Sequence, residues 1–398
     1  MLMDRLSTLS ALQRRILATV FCLLTAVVSA TSLYDAATEY LMDLEVFQDA
    51  GWAIRRGDDL YSDEFPTRSG FRFIYPPFAA LIFFFLTWLK AVPLQVVWTG
   101  ITIGAAWAVL VMVSAKLKLP RPMLIATCLL GPVLLLAPIR DNLGFGQINV
   151  ILALLIVADL FGYVPKRLKG MGIGVAAGIK ITPAAYALVF LMRKDYAGVV
   201  KSCLWFSFTV VLGFIARFEE SKYFWSDEFL KTNRGGSYST EANQALSGLI
   251  ARAGVDYDVV QLIVPMFLLL SAILAALIVR DLEKTSQSVL SAAVVALFVC
   301  LSSPISVNHH WSILMLFLPT VLALRDKSLI ISIIVLIGAF YWAPWIVFKD
   351  LPSQIATSPA LWLYGNMQGI TALILYVLIT AQWITERQRT KSKKQISS

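Results

Sequence analysis

The chain has 398 residues, 58% of them hydrophobic and only 15% charged, with a mean hydropathy of +0.73. Soluble domains carry roughly 25% charge, so an ordinary water-soluble enzyme is excluded and lipid becomes the solvent to reason with. The apolar runs are continuous and do not alternate, which points to an all-α polytopic membrane protein and away from a β-barrel. A net charge of +9 would suit nucleic acid in another setting. Here the basic residues lie between apolar runs, so they speak for a membrane surface and no nucleic-acid partner is expected. Cys22, Cys128, Cys203 and Cys300 all sit inside apolar runs without CxxC spacing, so zinc and redox motifs are absent.

In chain order, residues 1–15 carry Arg5, Arg14 and Arg15 ahead of an apolar run at 16–33, which reads as a retained signal-anchor helix. The tail at 386–398 is again basic. Lys and Arg favour the cytoplasmic side, so both ends are expected inside the plasma membrane and the number of crossings is even. Residues 34–93 then form a first outer loop. It carries Asp35, Glu39, Asp43, Glu45, Asp49, Asp58, Asp59, Asp63 and Glu64 against Arg55, Arg56, Arg68 and Arg72. Its apolar stretch 76–89, roughly 14 residues, is too short to span and suits a juxtamembrane helix.

Basic connectors at 116–121, 166–169, 193–201, 280–284 and 325–327 belong inside by the same rule. The run 171–192 has basic flanks on both sides. Two half-helices broken around residues 178–183 satisfy both flanks, with Lys180 at the tip of the hairpin. Such a break is tolerated only where it is buried in protein or lines a cavity, and a lysine there is a functional candidate. Spans near 94–115, 121–139, 147–163, 198–216, 259–279, 287–301, 310–324, 328–348 and 361–385 complete about twelve crossings in one transmembrane domain. A second large outer loop covers 217–258.

The polar residues on the outer side form the candidate site. Asp43, set among apolar neighbours at the membrane surface, suits a general base because desolvation raises a carboxylate toward working pH. Glu45, Asp49 and Asp58 compete with it for that role. His309 and His310, the only two histidines, sit at an outer helix end and suit proton transfer or phosphate contact. Arg140, Asp141, Gln147 and Asn149 form a further polar group, although Gln147 and Asn149 fit helix caps equally well. Asn243 and Gln244 carry the same ambiguity. Neither HExxH nor another His–carboxylate spacing supports a metal. A carboxylate base beside Lys180, Arg140 and histidine suits displacement of a phosphate leaving group. ATP is not available outside the membrane, so a lipid-linked phosphate would carry the activated group.

Several segments resemble glycosyltransferase family 87, in the family's order. They are Met42-Asp43-Leu44-Glu45-Val46-Phe47, Gly57 with Leu60-Tyr61, Phe73-Ile74-Tyr75-Pro76-Pro77-Phe78 and Gly146-Gln147-Ile148-Asn149. Gly178-Ile179-Lys180-Ile181-Thr182-Pro183, Asn243-Gln244-Ala245-Leu246 and Ser303-Pro304-Ile305-Ser306 with His309-His310 follow. The likeness covers nearly the whole chain and is nearest to the polyprenyl-phosphate-mannose-dependent α-1,2-mannosyltransferases, including the phosphatidylinositol mannoside enzyme. It implies the GT-C fold, with the catalytic Asp on the first outer loop, and no cofactor. It further implies a polyprenyl-phosphate-mannose donor, a glycolipid or lipoglycan acceptor, and inversion at the sugar. Asp43 would be the base, with Lys180, Arg140 and a histidine on the donor phosphate. Phe47, Tyr75, Asp141, Gln147, Asn149, Asn243 and Gln244 would line the substrates. Phe47 departs from the tyrosine common in these mannosyltransferases, which leaves arabinofuranosyl transfer from decaprenyl phosphate as an alternative. A flippase for polyprenyl-linked sugars is the alternative of another class. It would show paired broken helices in matching halves, and the chain has one clear break.

Overall fold

In hydrocarbon a backbone has no partner but itself, and no strand occurs among the described residues. The computed structural model describes residues 8–62, 65, 69–231, 236–342 and 358–396, with side chains to 388. Asp63, Glu64 and Arg68 of the first outer loop lie outside the described residues. So do 1–7, the end of the run 328–348, and the last residues of the tail.

Helix α1 (Ala11–Thr38) opens on a capping box, with Ser10 Oγ accepting from the Gln13 amide at 3.1 Å and Gln13 Oε1 from the Ser10 amide at 2.8 Å. Then come α2 (Met42–Arg56), α3 (Pro77–Phe83) running into a 3-10 turn (Phe84–Trp88), and α4 (Ala91–Lys116). The stretch expected as one span at 121–139 is two helices, α5 (Pro122–Leu134) and α6 (Ala137–Phe145), meeting at 76°. Pro138 starts α6. Leu136 before the helix is extended (φ −62°, ψ 133°), so the chain turns there, and Pro138 is tolerated in the first turn where its missing N–H is not needed.

Helix α7 (Asn149–Leu160) leads to α8 (Met171–Ile179), a 3-10 turn (Thr182–Tyr186) and α9 (Ala187–Met192). Next are α10 (Tyr196–Ala216), α11 (Phe218–Ser226), α12 (Leu246–Arg252), α13 (Tyr257–Lys284) and α14 (Ser288–Ser302). A 3-10 run (Asn308–Leu316) precedes α15 (Phe317–Ala323), α16 (Lys327–Trp342), α17 (Pro359–Gly365) and α18 (Met367–Ile396). Among the described residues five helices are long and apolar enough to cross a membrane, α1, α4, α10, α13 and α18, or six with the bent α5–α6 pair. Five shorter apolar helical pieces accompany them, Pro77–Trp88, Asn149–Leu160, Thr182–Met192, Ser288–Ser302 and Lys327–Trp342. About twelve full-length crossings is therefore more than these helices supply by length.

The bundle has two chemically distinct ends. Lys116 lies over the Phe161 ring, 5.9 Å from its centroid. Next to it, Arg193 donates to the Leu160 carbonyl at 2.8 Å and pairs with Glu283 at 2.6 Å. Lys201 reaches the Lys166 carbonyl at 3.1 Å. Trp383 Nε1 donates to Asp281 at 2.9 Å, and Gln382 to Asp326 at 3.3 Å. The basic connectors and the last described side chains of α18 thus converge on one end. Helix α7 ends there at Leu160. Its start at Asn149 lies about 18 Å away along the axis, and the polar candidates gather at that other end.

Close approach of α8 to its neighbours decides where Lys180 goes. A Cβ on Gly178 would stand 2.6 Å from Thr209 Cβ of α10, and one on Gly174 would stand 2.5 Å from the Ser202 carbonyl. Asp159 at the end of α7 accepts the amides of Gly170 at 2.9 Å and Ile173 at 3.1 Å, pinning the start of α8. Gly178→Ala should therefore cost roughly 1–3 kcal/mol by overpacking. Gly104→Ala, in a helix interior with nothing within 4 Å, should gain up to about 1 kcal/mol from propensity. Thermal unfolding of both variants in detergent checks the opposite signs.

Candidate active site

Asp43 sits in the first turn of α2, where the positive end of the helix dipole favours a carboxylate. Two contacts hold α2 in place. Gln48 Nε2 donates to the carbonyls of Leu86 at 3.1 Å and Leu89 at 2.9 Å, docking the helix on the juxtamembrane piece. On another side α2 rests on the corner between α6 and α7. Gly146 takes φ +70° there, and a Cβ on it would stand 2.5 Å from Leu44 Cβ. Only glycine allows both that turn and that approach.

The corner delivers Gln147 to Asp43. Gln147 Oε1 accepts from the Tyr75 hydroxyl at 3.3 Å and from Asn149 Nδ2 at 3.3 Å. Gln147 also stands beside the Asp43 carboxyl and lowers its proton affinity. Tyr75 is held in turn by Tyr61, whose hydroxyl donates to the Tyr75 carbonyl at 2.6 Å. The helix begun at Met171 stops at Ile179, and Lys180 follows in extended backbone. Its ammonium donates to Asn149 Oδ1 at 3.0 Å and lies 5.8 Å from the Tyr75 ring centroid. Asp43, Tyr75, Gln147, Asn149 and Lys180 are one connected group.

Burial pushes the Asp43 carboxyl up to about 6, against the opposing pull of the Gln147 hydrogen bond and the Lys180 charge. Burial also raises the Tyr75 phenol, and the neighbouring Asp43 charge adds to it. Tyr75 therefore stays a neutral hydroxyl donor while Asp43 titrates near working pH.

The histidines come from the 3-10 run. Their rings stand 4.8 Å apart at 83°, and Phe145 meets His309 edge-on at 6.1 Å. Both lie within electrostatic reach of Lys180. Asp141 accepts from Asn308 Nδ2 at 2.8 Å. Arg140 beside it is exposed.

Three candidates are occupied with protein instead. Phe47 is wholly buried, stacked on Phe83 at 4.4 Å and edge-on to Tyr75 at 5.3 Å, so its ring backs Tyr75. Asn243 is buried with its amide donating to the Tyr238 carbonyl at 3.0 Å and its oxygen accepting from the amides of Ala245 and Ser306. Gln244 joins the carbonyl of Gly365 at 3.1 Å to the amide of Gly369 at 3.1 Å. This pair laces the connector between α11 and α12 to the start of α18 and to the Ser-Pro-Ile-Ser segment.

Asn308 and Gln368 matter to the site without having been named as site residues in the sequence, and Tyr61 was named only as part of the Leu60-Tyr61 motif. Asn308 adjoins the histidines, which is a signal; Gln368 gives none. Among the described residues no group of three or more His, Cys, Asp or Glu side chains is placed to hold a metal ion.

Comparison with known proteins bears on this geometry. The family model described as Glycosyltransferase family 87 matches residues 73–304, a segment with Tyr75, Gln147 and Lys180 inside it and Asp43 and the histidines beyond its ends. Two relatives are each named polyprenol-phosphate-mannose-dependent alpha-(1-2)-phosphatidylinositol mannoside mannosyltransferase. The one from Mycobacterium tuberculosis is 28% identical over 391 residues, 89% of this chain and 88% of the relative. The one from Mycolicibacterium smegmatis is 30% identical over 352 residues, 81% of this chain and 79% of the relative. A Mycobacterium tuberculosis enzyme named for phosphatidylinositol pentamannoside is 31% identical over 258 residues, 63% of this chain and 58% of its own. A family match across more than half of the length, on a chain with several membrane-spanning helices, means that it belongs to glycosyltransferase family 87 and is a membrane glycosyltransferase.

Proposed function

We propose that the enzyme transfers mannose from polyprenol-phosphate-mannose to a mannose hydroxyl of a phosphatidylinositol mannoside, forming an α-1,2 linkage with inversion. The observation that carries this reading is Asp43, a carboxylate raised to about 6, joined through Gln147 and Asn149 to Lys180. The names of the relatives supply the donor and acceptor classes.

In the reaction the acceptor oxygen attacks the anomeric carbon and gives its proton to Asp43. The bond from that carbon to the donor phosphate oxygen breaks, and its electron pair leaves with polyprenyl phosphate. Lys180 and one of the histidines hold the growing negative charge, a contribution that exists chiefly in the transition state. Arg140 reaches the phosphate from the exposed rim. Tyr75, Gln147 and Asn149 lie along the sugar path, and Phe47, Asn243 and Gln244 stiffen its walls from behind. The basic end of the bundle faces the cytoplasm by the positive-inside rule, so the site opens on the outer face of the plasma membrane. The shorter apolar helices complete a GT-C membrane unit around the long ones.

Purified protein in lipid, given polyprenol-phosphate-mannose and a phosphatidylinositol mannoside, tests this directly. Asp43→Asn should lower transfer by about 10²–10⁴-fold with donor binding retained. A variant as active as wild type removes Asp43 from the mechanism. Wild type that uses only an arabinofuranosyl donor overturns mannose.

The base works deprotonated, so its pH window follows from the raised carboxyl. Transfer should plateau above pH 6 and fall about tenfold per unit below it. A pH profile of kcat/KM reads the inflection. Lys180→Met should lower kcat by about 10²–10³-fold, as loss of one oxyanion donor does. Single-turnover rates with saturating donor separate that loss from weakened binding.

A further inference from the structure

The turn that carries His309 and His310 is a 3-10 run of nine residues, Asn308–Leu316. Runs longer than three or four residues are uncommon because the hydrogen bonds are poorly aligned. Such a turn needs outside anchors to hold one rotation about its axis. Ser312 Oγ contacts the carbonyls of Pro138 at 3.2 Å and His309 at 2.7 Å, and Trp311 Nε1 donates to the Ser306 carbonyl at 3.1 Å. The anchor at its first residue is different, because it is a directed chain of side chains. Asn308 Nδ2 donates to Asp141 Oδ2 at 2.8 Å, and Asn308 Oδ1 accepts from Gln368 Nε2 at 3.3 Å. Asn308 and Gln368 are buried.

We propose that Asp141 and Asn308 are positioning residues, and that the Asp141–Asn308–Gln368 chain sets the rotation of the turn that presents the histidines to the donor phosphate. The role of the histidines rests on the function proposed above. An ionised carboxylate only accepts, so Asp141 fixes which way the Asn308 amide faces, and the Gln368 amide completes the chain. The carboxylate also stands on the right element. One residue on, the Asn142 carbonyl accepts the Gln147 amide at 2.8 Å. Helix α6 is thereby the common frame for Gln147, which orients the base, and for the histidines on the leaving-group side. A register error of one side chain in α6 would misplace both.

This assigns Asp141 a role through hydrogen bonding and not through contact with substrate, and the two make opposite predictions for Asp141→Asn. An asparagine there can still accept from Asn308 through its oxygen. If Asp141 positions, Asp141→Asn should keep kcat within about threefold of wild type, while Asp141→Ala should lose at least about tenfold with the acceptor KM unchanged. Asn308→Asp sets two carboxylates face to face and should fall as far. The exchange Asp141→Asn with Asn308→Asp rebuilds the pair with donor and acceptor reversed, and Gln368 can still donate to the carboxylate that replaces the Asn308 amide. Its kcat should recover at least about fivefold over Asn308→Asp alone.

Thermal unfolding of wild type, the two single variants and the exchange reads the same pairing without any transfer reaction. Recovery of the unfolding temperature in the exchange supports the pairing, and no recovery overturns it. Asp141→Asn falling as far as Asp141→Ala shows that the charge itself is used, which overturns the positioning role. Wild type that transfers no mannose while the thermal recovery persists overturns the proposed function, and the positioning role with it, but not the pairing.

Discussion

One amide orders the site-bearing end of this protein. Gln147 Oε1 is held by two donors, Tyr75 and Asn149, and the same side chain lowers the proton affinity of Asp43 beside it. A buried amide left unsatisfied costs about 1–3 kcal/mol, which is why the first-loop tyrosine, the α6–α7 corner and the α2 carboxylate come as a set. Asn149 extends the set by accepting from Lys180. Through two amides a carboxylate and an ammonium are brought to one site.

The backbone serves the same end by unusual means. In lipid, helices associate through close packing, because the tails around them are as apolar as the side chains. Glycines of α8 let it sink between α7 and α10, and the helix stops at Ile179 just where Lys180 must turn toward the site. Irregular backbone at such a depth persists only where protein surrounds it. The break at Lys180 and the long 3-10 turn under the histidines are therefore both placed in the packed interior of the site-bearing end. Each sets a charged or titratable side chain at a point that a continuous helix would have turned away.

Charge is sorted along the bundle as well as within the site. The basic connectors contact one another and their partners Glu283, Asp281 and Asp326 at one end. At the other end two long connectors fold onto each other. Arg217 of the second meets the Asp58 carbonyl of the first. Arg252 binds the side chain of Asn366 and the carbonyls of Thr240 and Asn243. The sorting separates a basic end of the bundle from the end that carries the candidate site.

The sequence alone carried the membrane class and the family, and it named Asp43, Gln147 and Lys180, which the structure brings close together. These follow from local properties: run length, charge between runs, and motifs of a few adjacent residues. Tertiary structure decided what no local pattern encodes. It bent the 121–139 stretch into two helices and left fewer full-length spans than apolar runs. It also turned Phe47, Asn243 and Gln244 into supports packed against protein. Whether a polar side chain faces a substrate or a neighbouring carbonyl depends on which distant segment lies opposite. Gln368 stands 60 residues from the Asn308 it binds, and only the packed bundle brings the two together.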